Sequence, residues 1–163
     1  MATLRDIRRH IRAVRNIEQM TRAMQMVSAA KMRRAQVRAA RSRPYSEAME
    51  EVAEDLSKTC KEVRSPYLVP RDSGEGLLVL VTSDRGLAGA LNTNTIRLAH
   101  ATMRRRFGPR YPVVALGRKG LDFAARNRLE LIHHKVALPD RVTAEDLRPT
   151  VEAVVRTFLE REL

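Results

Sequence analysis

Apolar residues recur at steps of three and four along the opening stretch of the chain: Leu4, Ile7, Ile11, Val14, Ile17, Met20, Met24 and Val27. That spacing lays them on one stripe of an α-helix, and neither Gly nor Pro interrupts residues 1–43. A helix of that length is a rod of about 60 Å, longer than a small domain is wide. The rest of a 163-residue chain is too small to cover such a stripe. The pattern therefore implies partners outside this sequence.

Leu4, Ile7, Ile11, Val14 and Ile17 keep the rhythm of a coiled-coil seam, with Arg5, Arg8, Arg9, Arg12 and Arg15 around the other faces. Beyond Ile17 the stripe softens into Met20, Met24, Met26 and Met32 with alanines between them. Flexible and small side chains suit a surface that meets more than one geometry. For the methionines alone, ordinary helix formers in an ordinary seam is the simpler account. Pro44 marks a kink or a stop, because the residue before a proline resists the α conformation. Tyr45 to Lys61 is helical again, and the sequence leaves open whether there is one bent helix or two. Ser65-Pro-Tyr67 and the Pro- and Gly-containing stretch from Pro70 to Gly76 read as a linker.

The period then changes. Leu77-Leu-Val-Leu-Val-Thr82 is a continuous β-rich run, as expected for a strand buried on both faces. A glycine-containing turn follows, then a helix from about Asn92 to Phe107. A second strand is predicted at Pro112–Gly117, a helix at Lys119–Asn127 and a third strand at Leu129–Val136. Thr143-Ala-Glu-Asp146 resembles a capping box opening a last helix, which Pro149 would bend or delay. Strand–helix alternation predicts a parallel sheet with right-handed crossovers. The expected organisation is α/β: a shaft helix over 1–62, a linker over 63–76, and a small Rossmann-like α/β domain over 77–163.

Charge sharpens the division. Residues 1–43 hold twelve Arg and Lys against two acids, a net of +10; residues 44–163 hold nineteen against seventeen, a net of +2. The basic rod has three natural counterparts: nucleic acid, an anionic membrane surface or an acidic protein surface. The one cysteine, Cys60, has no partner for an internal disulfide, fits a reducing compartment and reads as an inert thiol. No apolar run approaches transmembrane length. The N-terminus is amphipathic and Arg-rich like a transit peptide, but its first serine is Ser28 and the helical pattern outruns a cleavable length. It reads as mature protein in a bacterial setting.

Candidate chemistry is sparse. The turn Ser83-Asp84-Arg85-Gly86-Leu87-Ala88-Gly89 lies where an open α/β fold binds ligands, yet it lacks G-x-G-x-x-G and no G-K-[ST] loop follows. A tight strand-to-helix turn is the stronger reading than a nucleotide site, with Asp84 capping it or pairing with a basic neighbour. No histidine near Ser83 and no G-x-S-x-G elbow support a nucleophile. His133 and His134 are adjacent on a strand and point to opposite faces. No catalytic set, cofactor site or metal site is legible. Lys31, Arg33, Arg34, Arg38, Arg41 and Arg43 form the densest basic cluster, without aromatics to stack on bases. The persistent apolar stripe beneath suits a protein partner better than a duplex groove. A basic helical adaptor for nucleic acid or an anionic membrane is the alternative reading.

Three segments together carry a resemblance. Thr3-Leu-Arg-Asp-Ile-Arg-Arg9, then Asn16 through Gln36, then Arg43-Pro-Tyr45 resemble the N-terminal helix of the γ subunit of F-type ATP synthase. Thr82 through Asn92, with Asp84, Arg85, Gly86, Gly89 and Asn92, resembles the same family's strand–turn–helix motif. The resemblance covers essentially the whole chain. It implies a non-catalytic rotor subunit whose N-terminal helix pairs with a long C-terminal helix inside the ring of α and β subunits. Its α/β domain would hold the ε subunit and the membrane c-ring, peripheral to the cytoplasmic face of a bacterial inner membrane, with no cofactor and no nucleic acid. By family position, Met20, Met24, Val27, Lys31, Arg33 and Arg34 would face the ring, and Leu4, Ile7, Ile11, Val14 and Ile17 would form the seam. Family members continue into a C-terminal helix and further strands, so the resemblance implies a chain lacking that part. Ala88 stands where many relatives carry cysteine, and the regulatory cysteine insertion of chloroplast relatives is missing.

Overall fold

The computed structural model describes residues 3–59, 65–67 and 75–161. Cys60 and most of the expected linker lie outside these residues. The chain divides into two compact units, residues 1–63 and 64–163.

The first unit is one helix, α1, spanning Leu4–Thr59. Its 56 residues correspond to about 84 Å of rod. Thr3 and Asp6 start it with a reciprocal cap: the Thr3 N–H donates to Asp6 Oδ2 at 3.0 Å, and the Asp6 N–H donates back to Thr3 Oγ1 at 3.4 Å. The Thr3 hydroxyl, and then its N–H, hold the Asp6 carboxyl below its ordinary pKa of 3.8. Pro44 does not stop the helix. It removes the bond that would reach the Ala40 carbonyl, at a residue that is exposed. Around it, Ser42 Oγ donates to the Ala39 carbonyl and Ser46 Oγ to the Ser42 carbonyl. No residue of α1 is buried.

The second unit is a three-stranded, all-parallel sheet with helices on both faces. The elements are β1 (Leu78–Val81), α2 (Leu91–Phe107), β2 (Pro112–Leu116), α3 (Arg118–Arg126), β3 (Glu130–Lys135) and α4 (Ala144–Glu160). The strand order is β1-β2-β3, so β2 is central. Leu80, Val113 and Ala115 face α2 and α3, closing a core with Met103, Tyr111, Phe123 and Ala124. α4 packs on β3, burying Thr150, Ala153 and Thr157. An additional residue in β3 shifts the register between the Val113–Leu131 and Val114–His133 pairs. This places His133 in line with Val114.

One expectation is corrected. The run from Leu77 forms an edge strand, not one buried on both faces: Leu80 is buried, while Val79 and Val81 are exposed. The strand covered on both faces is β2, whose Val113, Val114 and Ala115 are wholly buried. The Thr143 cap forms as the sequence predicts, with Thr143 Oγ1 accepting from the Asp146 N–H and the Asp146 carboxylate accepting from the Thr143 N–H. Pro149 neither delays nor ends α4.

Candidate functional site

Two features could carry function: the stripe of α1 and the turn after β1. On a helix each residue advances about 100°, which fixes the direction of every position around α1. Leu4, Ile7, Ile11 and Val14 fall within an arc of about 80°. Met20, Met24, Val27, Lys31 and Arg34 also fall within about 80°, but centred about 160° away from the first set. Ile17 lies between them. The steps Val14–Ile17–Met20 are two threes in succession, and this turns the stripe around the rod, so the expectation of one stripe from Leu4 to Val27 is corrected to two faces. Arg33 stands apart, about 180° from Met24. The helix thus has an N-terminal apolar seam on one side and a softer, partly basic face on the other, with Arg33 on the seam's side, about 20° beyond Leu4. Both sets are exposed, from Leu4 to Val27.

The turn is a device for starting the wrong helix, in the sense of a neighbouring one. Gly117 precedes α3 and has no side chain with which to cap it. The first four N–H groups of a helix have no partner within it. Here all four are taken. The Gly117 N–H donates to the Lys135 carbonyl at 2.8 Å, and the Lys119 N–H to the Ser83 carbonyl at 3.2 Å. The Arg118 N–H donates to Asp84 Oδ1 at 2.9 Å and the Gly120 N–H to Thr82 Oγ1 at 2.8 Å. Three consecutive residues at the end of β1 therefore cap a helix 34 to 38 residues further on. The Thr82 hydroxyl donates in turn to the Leu116 carbonyl. Asn92, in the first turn of α2, clamps the segment: its Oδ1 accepts from the Ser83 N–H and its Nδ2 donates to Ser83 Oγ.

Space enforces this arrangement. A Cβ on Gly117 would stand 2.1 Å from the Thr82 carbonyl oxygen, and its φ of +95° disfavours any side chain. Of the turn's own glycines, Gly89 has φ +57°, whereas Gly86 has open space around it and no such requirement. Arg85 and Gly86 are exposed. Leu87 is wholly exposed at φ +63°.

The structure thus joins Asp84 and Asn92 in one hydrogen-bonded unit with Thr82 and Ser83, and leaves Arg85, Gly86 and Gly89 on the outer loop. Sequence reasoning missed Gly117 and Thr82. The available signal was a helix preceded by glycine with no Ser, Thr, Asp or Asn at its start. The positive end of α3, where an anion would otherwise sit, is filled by the protein's own oxygens. His133 is partly buried and His134 exposed. Among the described residues no group of three or more His, Cys, Asp or Glu is placed to hold a metal.

Comparison with known proteins decides the family. The profile of the family described as ATP synthase matches residues 3–163. The ATP synthase gamma chain of Nitrosospira multiformis is 42% identical over 157 residues, covering 94% of this chain and 53% of the relative. That of Desulfitobacterium hafniense is 38% identical over 163 residues, covering 100% and 58%. This chain belongs to the ATP synthase γ-chain family. It spans somewhat more than half the length of the curated relatives it matches. The α/β unit is accordingly the family's domain in part. Among the described residues of this γ-family chain, no helix is long and apolar enough to cross a membrane.

Proposed function

We propose that this chain acts as the N-terminal shaft and first α/β segment of a central-stalk rotor, coupling ion flow through a membrane sector to conformational change at catalytic sites on β subunits. It catalyses nothing itself. Its partners are the α and β subunits, a C-terminal γ helix along the seam, and the ε subunit and c-ring at the α/β domain. It resides peripherally at the cytoplasmic face of a bacterial inner membrane. The observation that carries the reading is α1, a 56-residue helix with no buried residue and two apolar faces on nearly opposite sides. A helix with one partner needs one stripe; two stripes suit a shaft that packs on a companion while its other side slides against a ring. Lys31 and Arg34 on that side favour acidic counterparts, and because exposed ion pairs are individually weak, such contacts break and re-form readily.

Co-expression with F-type α and β subunits tests this. Capture of both by this chain, lost on deleting residues 1–43, is the expected result. Failure of capture when a C-terminal γ segment is also supplied would overturn it. Steeply salt-dependent binding to DNA or anionic vesicles without capture would favour the adaptor reading instead.

A further inference from the structure

The end of the sheet at which the strands begin holds a cavity of about 420 Å³ lined by Phe107, Arg110, Tyr111, Arg128, Glu130 and Arg161, among others. Its arginines arise from a repeated placement. Pro112 and Glu130 are register partners opening β2 and β3. Arg110 and Arg128 each precede their strand's first residue by two positions. Both arginines line the cavity.

The acids lining this cavity, Glu75 and Glu130, both act on Arg161. Glu130 takes both Nη atoms of Arg161, one at 2.9 Å, and that hydrogen-bonded pair holds the Glu130 carboxyl below its ordinary pKa. The field of Glu75 also falls on Arg161. Neither Arg110 nor Arg128 is paired with a carboxylate among the described residues.

Arg128 sits at φ +51°, just past the end of α3, where glycine is the usual residue. Its backbone is fixed there: its N–H donates to the Ala125 carbonyl at 3.2 Å, and the Leu129 N–H to the Ala124 carbonyl at 3.0 Å. The backbone at Arg128 is thus fixed in a conformation that glycine favours, at the edge of the cavity. Phe107 supplies an apolar wall, and a Cβ on Gly76 would collide with its ring at 2.5 Å.

We propose that Arg110 and Arg128 form a binding site for a small phosphate-bearing anion, at the opposite end of the sheet from the turn at Asp84. Two guanidinium forks lining one cavity, neither in an ion pair among the described residues, match the chemistry of phosphate oxygens. The anion is either free in solution or the headgroup of a phospholipid.

Titration calorimetry of the full chain with pyrophosphate tests the site. Saturable one-to-one binding is expected, weakened at least about tenfold in R110A/R128A. R33A/R34A, which removes the same charge from the shaft helix, should leave it within about twofold. Equal weakening in both variants, or no saturable binding, overturns the proposal in favour of diffuse attraction to a basic chain. Should R110A/R128A not fold, the Nε resonances of Arg110 and Arg128 in arginine-labelled native chain provide the readout. Both should shift on adding pyrophosphate, and their failure to move would refute the site. Vesicles containing phosphatidic acid separate the sources. Arg110- and Arg128-dependent vesicle binding displaced by pyrophosphate assigns the headgroup, and pyrophosphate binding without vesicle binding assigns a free anion.

Discussion

Replacing Thr82 by valine keeps the volume of the side chain and removes one oxygen. Thr82 Oγ1 is the sole acceptor given to the Gly120 N–H, at 2.8 Å, and the site is partly buried. The Leu116 carbonyl keeps another donor, the Thr82 N–H at 2.8 Å. The net loss is therefore one buried donor left unsatisfied, worth about 1–3 kcal/mol. For a unit of this size that corresponds to a fall in melting temperature of about 4–8 °C per kcal/mol. Asp84→Ala removes a second cap from an exposed site, which places it at about 0.5–2 kcal/mol. Asp84→Asn should retain most of the bond, since the amide oxygen still accepts. Urea unfolding of the full chain, followed by the fluorescence of tyrosines that include buried Tyr111, measures all three. Thr82→Ser, which restores the hydroxyl, should recover much of the stability. If Thr82→Val and Asp84→Ala both fall within about 0.3 kcal/mol of the native chain, the remote cap contributes nothing and the reasoning fails.

On the shaft, charge reversal at Lys31 and Arg34 should reduce capture of α and β subunits far more than reversal at Arg33, which lies on the other side of α1. Equal effects in a pull-down would refute the division of faces. Gly117→Ala should destabilise the α/β unit severely, because its Cβ would meet backbone, whereas Gly86→Ala should be nearly neutral. Thermal melts of the two variants decide between them. Burial, and then the charges of His134 and Lys135, push the His133 pKa below its ordinary 6.5, and its Nε2 is buried without a partner. His133 lines a separate cavity with Glu152, Arg156 and Glu160 of α4. The unfolded chain binds a proton here that the folded chain resists, so the contribution of His133 is present above pH 6.5 and lost as pH falls through the depressed folded value. Stability measured from pH 7.5 to 5 should fall less in His133→Gln than in the native chain; identical slopes would show that His133 is not the group responsible.

Much of this molecule is legible in near-neighbour pattern. The steps from Leu4 to Val27 dictate a rod because helical spacing is a local property. The reciprocal cap at Thr143 and Asp146 is readable because its partners stand three residues apart. The shaft's two faces were equally available, since counting about 100° per residue from Val14 through Met20 already turns the stripe and sets Arg33 aside. Pro44 on its own left open a kink or a stop; it removes one bond, and the helix formers on either side let α1 continue through it.

Strand order was not legible. Leu77 to Thr82 and Pro112 to Gly117 are both apolar runs, and only the pairing of β2 with two neighbours makes one central and leaves Val79 and Val81 of the other exposed. Nor could spacing show that Thr82, Ser83 and Asp84 begin a helix more than thirty residues away, or that Arg110 and Arg128 line one cavity. The sequence by itself determined the rod, its charge and the alternation of strand and helix, because those follow from what each residue does to its neighbours in the chain. The tertiary structure alone decided which edges are bare and which distant groups share hydrogen bonds, because these depend on chain closure, which places residues together without regard to their separation.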